Sequence, residues 1–334
     1  MESYKIGSER IGFGQPTYII AEIGFNHEGD IHLAIKMIEA AAEAGANAVK
    51  FQSYQAANLV LKTMEHYDLI KAGEMNTEDH GRLMKAAHQN GVAFLSTPYS
   101  VESMEMLDKM GVPAFKVASM DLTNLPFLRS IAQKDKPMII STGLAILKEV
   151  ADAVDIVNKA GNNQIVLLHC ISKYPAVAED ANLRTIPMMC DAFDLPVGFS
   201  DHMLGNAVSL AAVSLGACAV EKHFTIDKNL PGPDHKISAD KEELTQLVNS
   251  IREVEKSLGK PCLNEERPDR QWAKAFRRGV FAAVDIPAGT VITAEMLKSV
   301  RPETGVSPVF FDWIVGRTAR VSISKETPIT VEKI

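Results

Sequence analysis

Short apolar runs of β-forming residues recur along the chain, and helix-spaced apolar positions fill the intervals between them. The runs are YIIAEIG from Tyr18, NAVKFQ from Asn47, VAFLST from Val92, AFKVAS from Ala114, PMIIST from Pro137, IVLLHC from Ile165, PVGFSD from Pro196 and ACAVEKHF from Ala217. Between them stand stretches such as IHLAIKMIEAAAEAG, TEDHGRLMKAAHQNG and NAVSLAAVSLG, each closing on a glycine suited to a helix C-cap. Eight strand–helix units over about 250 residues predict an α/β fold, a (β/α)8 TIM barrel. A doubly wound open sheet shares the alternation, but no G-x-G-x-x-G follows the first strand, where a dinucleotide fold carries it.

After EELTQLVNSIREVEKSLG the pattern changes. The barrel is expected over residues 1–259, and residues 260–276, rich in Pro, Asn and charge, read as a linker. Residues 277–334 carry short β-like pieces, RRGVFAAVDI, VITAEMLKSVRP and TARVSISKETPITVEKI, which predict a small second domain with one or two short helices. A chain of 334 residues with 46% hydrophobic side chains has enough apolar material for both cores.

The formal charge of −7, without a basic block, argues against nucleic acid as a partner. Residues 1–12 are mostly charged and polar, and no apolar run approaches membrane length, so the expectation is a cytoplasmic protein without a membrane partner. Cys170, Cys190, Cys218 and Cys262 lack C-x-x-C spacing and read as reduced, packed thiols.

In a barrel of this type the active site is built where the strands end. Glu22 closes the first run, Lys50 and Gln52 the second, and Ser96 and Thr97 the third. Lys116 and Ser119 follow, then Ser141 and Thr142, then His169 with Ser172, Lys173 and Tyr174 in its loop. Ser200, Asp201 and His202 close the seventh run, and Glu221, Lys222 and His223 the eighth. Burying such groups unpaired costs several kcal/mol each. Lys50 and Lys116 could belong to structural ion pairs with acidic groups across the mouth. With Thr97, Ser119, Ser141 and Ser200 added, the set points instead to a phosphate or carboxylate site. His202 and His223 end adjacent strands, about 4.8 Å apart, so they can share one ion in an open, Lewis-acid site. They can equally be core histidines donating to carbonyls. His32, His66, His80 and His88 read as solvated.

The motifs IIAEIGFNHEGD, VKFQ, FLSTPYS, FKVASMD, IISTG, LLHCISKYP, VGFSDH and VEKHFTIDKNLPGPDH occur in this order. With them the chain resembles the N-acetylneuraminate (sialic acid) synthase family, which includes bacterial legionaminate and pseudaminate synthases. Its end resembles that family's antifreeze-like (SAF) domain. The resemblance implies condensation of phosphoenolpyruvate with an N-acetylated mannose-type sugar, N-acetylmannosamine or a relative, to a nine-carbon 2-keto acid plus phosphate. A 2,4-diacetamido-6-deoxy hexose is the alternative acceptor. It also implies Mn2+ or Mg2+ on His202 and His223, and a catalytic set of Glu22, Lys116 and Tyr174. Lys50, Thr97, Lys116, Ser119, Ser141 and Ser200 would contact phosphoenolpyruvate. Tyr174, Asp201 and Glu221 would meet sugar hydroxyls or water, with Gln52 and Ser172 as further substrate contacts. A homodimer with swapped small domains would bring Arg301 to the acetamido group in the partner's site.

Where the family commonly reads STGMATL this chain reads STGLAIL, Ser172 replaces an Asn of some sialate synthases, and Glu303 interrupts the frequent RPGTG. These departures bear on sugar choice. Two other readings remain at this stage. A metal-dependent aldolase or isomerase fits the barrel and histidines but releases no phosphate. A carbohydrate- or ice-binding protein built on the small domain leaves the polar strand ends unexplained.

Overall fold

The computed structural model describes residues 2–334. It opens with an antiparallel hairpin, β1 (Ser3–Ile6) and β2 (Glu9–Gly12). The eight apolar runs follow as β3 (Tyr18–Glu22), β4 (Ala48–Ser53), β5 (Ala93–Pro98), β6 (Phe115–Val117), β7 (Met138–Ser141), β8 (Ile165–Cys170), β9 (Val197–Asp201) and β10 (Ala219–His223). They make one eight-stranded sheet ordered β5-β4-β3-β10-β9-β8-β7-β6, with parallel ladders. Its end strands β5 and β6 lie against each other, which curls the sheet into the expected barrel.

Successive side chains of a strand point to opposite faces, and in a barrel those faces are inside and outside. Ile19, Val49, Phe51, Phe94, Phe115, Val197 and Val220 pack outward against apolar faces of the helices. Their neighbours Tyr18, Ile20, Ala48, Leu95, Ile139, Val166, Leu168 and Ala219 fill the inside. Each large apolar side chain so buried is worth roughly 1.5–3 kcal/mol. Helices begin where local chemistry allows: the Asp30 carboxylate accepts from the His32 and Leu33 N–H groups and starts Ile31–Glu43. Asp240 and Glu243 form a capping box that starts Lys241–Leu258.

The hairpin was not foreseen in a segment dominated by charge. Tyr4, Ile6 and Ile11 join the cluster inside the barrel. The Tyr4 hydroxyl donates to Asn163 O, in the loop that enters β8, so the hairpin sits at the strand N-termini.

The chain divides after Gly259 into two units. In the second, β11 (Gly279–Ala282) and β12 (Leu297–Val300) pair antiparallel. Isolated bridges such as Ile286↔Ile323 and Val291↔Thr318 surround a core that includes Val280, Ile292, Ile314 and Ile329. Residues 260–276 group with this unit and carry two short helical turns, Arg270–Trp272 and Ala273–Phe276. The Glu303 N–H donates to Lys274 O, so this segment is tied to the small unit rather than free-standing.

Two expectations are corrected. His80 is buried, its Nδ1–H donating to Asn76 O while Nε2 accepts from Ser53 Oγ; His32, His66 and His88 are exposed as expected. Cys262 is exposed rather than packed. Among the described residues no helix is long and apolar enough to cross a membrane.

Candidate active site

The alternation that fills the barrel with apolar side chains turns polar in its last inward layer. Register sets that layer level: Glu22 stands beside Lys50 on β4 and His223 on β10, Gln52 beside Thr97, and Glu221 beside Ser200. Together with Lys116, Ser119, Ser141, Ser172, Tyr174 and His202 these residues line one cavity of 370 Å³ at the strand C-termini. Tyr99, Met120, Leu144, Cys170 and Asp234 line it too, and sequence reasoning had not singled them out.

Asp201 is not in this cavity. Asp201 falls on the outward parity of β9, where its carboxylate accepts from Lys222 Nζ at 2.8 Å, Ser209 Oγ at 2.6 Å and the Met203 N–H at 2.9 Å. That corrects its assignment as a sugar contact, because every oxygen faces a protein donor outside the barrel. Lys222 completes the knot by donating to Met203 O and Gly205 O. Arg301 belongs to the second unit, where its guanidinium stands 5.5 Å from the Phe276 ring centroid.

Four buried charges form the floor. Lys50 Nζ lies 3.0 Å from Glu22 Oε2 and 3.5 Å from Glu221 Oε2, and Lys116 Nζ lies 3.9 Å from Glu221 Oε1. Lys116 also donates to Ser141 Oγ at 2.6 Å, and Ser200 Oγ donates to Glu221 Oε1 at 2.9 Å. Burial pushes Glu22 up to about 7 despite Lys50, with the charge on Glu221 adding to the rise. Burial acts on Glu221 as well, but Lys116 and Lys50 outweigh it and hold that carboxyl down at about 2. Burial lowers Lys116, and the charge on Lys50 lowers it further; Lys50 is instead raised, because Glu22 and Glu221 overcome its burial.

Several groups here lack partners within the protein. Glu22 Oε2 and Glu221 Oε2 have lysine charge nearby but accept no hydrogen bond. Lys116 has only one carboxylate near it, at the edge of contact distance. Ser119 Oγ accepts from the Gly143 N–H and stands 3.3 Å from Cys170 Sγ, where either atom can donate, so its proton can turn to a ligand while the thiol donates back. Such a floor suits an anion at Lys116 and hydroxyl donors at the two carboxylates.

The donor atoms of the histidine pair decide whether it suits a metal. His202 Nδ1 donates to Ile171 O at 2.8 Å, so its lone pair is on Nε2. His223 Nδ1 has no hydrogen-bond partner, with Asp234 Oδ2 3.8 Å away. The rings stand 5.4 Å apart between centroids, with Tyr174 against both. Burial keeps both neutral, lowering His202 and taking His223, beside His202, down to about 3. Two neutral nitrogen donors fit a divalent ion that takes its other ligands from water and substrate. No cluster of three His, Cys, Asp or Glu able to hold a metal occurs among the described residues.

Comparison with known proteins gives the chain's relatives. Residues 37–262 match the NeuB family and residues 277–334 match the SAF domain. The N,N'-diacetyllegionaminic acid synthase of Legionella pneumophila is 42% identical over 97% of this chain and 96% of its own. A pseudaminic acid synthase of Campylobacter jejuni is 34% identical over 92% of this chain and 93% of its own. The N-acetylneuraminic acid synthetase of Leptospira borgpetersenii, solved with citrate, superposes with a TM-score of 0.78 at 36% identity, over 81% of this chain and 94% of that one.

Proposed function

Because the chain belongs to the NeuB family and carries a SAF domain, we propose that it condenses phosphoenolpyruvate with a 2,4-diacetamido-6-deoxy hexose to a legionaminate-type nine-carbon 2-keto acid and phosphate. The carrying observation is the cavity floor, where Lys116, Lys50 and the hydroxyls of Ser119 and Ser141 offer charge and donors to a phosphorylated carboxylate. N-Acetylmannosamine, the first expectation from the motifs, gives way to the diacetamido sugar for two reasons. Legionaminic acid synthases stand among the most similar relatives, at 42% and 40% identity. Two exposed apolar side chains, Met120 and Leu144, also stand on the cavity lining.

In this reading C3 of phosphoenolpyruvate attacks the aldehyde carbon of the open-chain sugar, forming the C–C bond and leaving positive charge at C2. Water adds to C2, and the C–O bond to phosphorus-bound oxygen breaks to release phosphate. Mn2+ or Mg2+ on His202 and His223 would supply Lewis-acid polarisation of the aldehyde. Lys50, Lys116, Thr97, Ser119, Ser141 and Ser200 hold the three-carbon acid. Glu22, with a carboxyl near 7, takes up the proton of the adding water. Glu221 stays ionised beside the lysines, while Gln52, Ser172 and Tyr174 orient the sugar. The protein works as a cytoplasmic homodimer in which Arg301 of one protomer's SAF domain binds the acetamido group held in its partner's barrel.

The test is inorganic phosphate release, with product mass, for phosphoenolpyruvate and Mn2+ plus each of three acceptors: N-acetylmannosamine, the 2,4-diacetamido-6-deoxy mannose and its altrose-configured isomer. The expected substrate is the diacetamido mannose, and chelation with EDTA should abolish turnover until the ion is restored. Turnover of another acceptor alone would refute the sugar assignment. Product without phosphate release would refute the chemistry.

A further inference from the structure

The loop after β7 contains a backbone feature that packing does not explain. Leu144 has φ 67°, a left-handed conformation that a non-glycine side chain adopts only at a conformational cost. Its side chain is nevertheless 78% exposed, so burial does not offset that cost. The preceding residue is hemmed in. A Cβ at Gly143 would stand 2.4 Å from Ser172 Oγ and 2.7 Å from Ser119 Oγ, so strand-end groups crowd the backbone at that point. That crowding keeps residue 143 a glycine, and the next residue, Leu144, stands exposed on the lining of the cavity.

Leu144 lines two cavities at once. One is the 370 Å³ catalytic cavity, and the other, of 480 Å³, lies beyond β7 and β8 with Leu147, Met188 and Met189 on its walls. Met120, 55% exposed, borders the catalytic cavity from the loop after β6. The floor is charged, and Leu144 and Met120 put an apolar edge on a mouth that Ser172, Tyr174 and Asp234 otherwise make polar, so a ligand with an anionic end and methyl groups at its other end has one favoured orientation.

We propose that Leu144, assisted by Met120, selects the acceptor by packing against its methyl groups. This rests on the reading above, in which the sugar lies outward of phosphoenolpyruvate. A 2,4-diacetamido-6-deoxy hexose presents three methyl groups, two acetyl and one at C6, where N-acetylmannosamine presents one. An apolar ridge between two cavities meets such groups, and its shape separates acceptors that share the reacting aldehyde.

The experiment compares Leu144→Asn and Leu144→Met with the unaltered enzyme, using both sugars in phosphate-release kinetics and calorimetry. Asn tolerates the left-handed backbone, so Leu144→Asn removes the apolar surface without refolding the turn. Its preference for the diacetamido sugar over N-acetylmannosamine, as a ratio of kcat/KM, should fall about tenfold, the scale of a lost hydrophobic pocket contact. The loss should appear in the KM and Kd of the diacetamido sugar and not in the KM of phosphoenolpyruvate, and Leu144→Met should restore the ratio. An unchanged ratio, or equal losses for both sugars and phosphoenolpyruvate, would overturn the assignment to Leu144 while leaving the condensation intact. An unaltered enzyme that turns over neither sugar would overturn the condensation itself and this inference with it.

Discussion

Glu22 and Glu221 are the same chemical group on neighbouring strands, and their surroundings separate them. Glu22, buried and faced chiefly by Lys50, is pushed up to about 7, whereas Glu221, between two lysines and a serine hydroxyl, is held at about 2. Two carboxyls driven apart in this way divide the labour: one exchanges a proton near neutral pH and the other remains a fixed charge. Glu22→Gln keeps the shape and removes the exchange. Its kcat is expected to fall by roughly two to four orders of magnitude, while the Kd for phosphoenolpyruvate stays within about twofold. Steady-state kinetics with calorimetry checks both, and a loss below about tenfold would assign Glu22 to packing alone.

β9 and β10 are joined by more than their ladder. Lys222 reaches from β10 to the Asp201 carboxylate on β9 and to two carbonyls of the following loop, and both side chains are almost fully buried. This outward tie lies directly behind His202 and His223. Lys222→Met would leave the Asp201 charge buried without its ammonium, at an expected cost of about 3–5 kcal/mol in urea unfolding of the barrel. Adding Asp201→Asn should recover much of that loss, and a double variant as unstable as the single would show that the charge is not the cause. The same strands show what the sequence makes readable. All eight runs became strands because apolar β-formers in short bounded stretches have few other uses, and polar residues at their ends stand out. Asp201 was misplaced because residue type was weighed without parity: in V-G-F-S-D-H, Ser200 and His202 share one face and Asp201 takes the other. His80 was legible in the same way, since His80, Leu83 and Ala87 share the buried face of Thr77–Gln89. Tyr99, Met120, Leu144 and Asp234 reach the cavity from outside the strands, where no period foretells which side chain turns inward.

The molecule as a whole buries several histidines in their neutral form. Burial takes His27 down to about 4, with His80 adding to the effect, and burial also lowers His80 and His169. The unfolded chain binds these protons near pH 6.5, while the folded chain does not until lower pH. Their contribution to stability is therefore complete above about 6.5 and is lost as the pH falls below it, over a span that for His27 reaches down to about 4. Urea midpoints should fall across that window. In His80→Gln the slope of stability against pH should be smaller by up to about 1.4 kcal/mol per pH unit. An unchanged slope would mean that His80 takes its proton in the folded state as readily as in the unfolded chain. At the barrel's other end, the side chains of Tyr4, Ile6 and Ile11 stop the bore. The barrel is packed solid below its charged floor, and under the proposed chemistry traffic through the mouth at the strand C-termini must queue. Phosphoenolpyruvate, seated at the bottom, has to arrive before the sugar, and a sugar that arrives first bars its way. Phosphate, formed beneath the nine-carbon acid, leaves last, so the packed apolar interior under the charged floor dictates the order in which substrates and products pass.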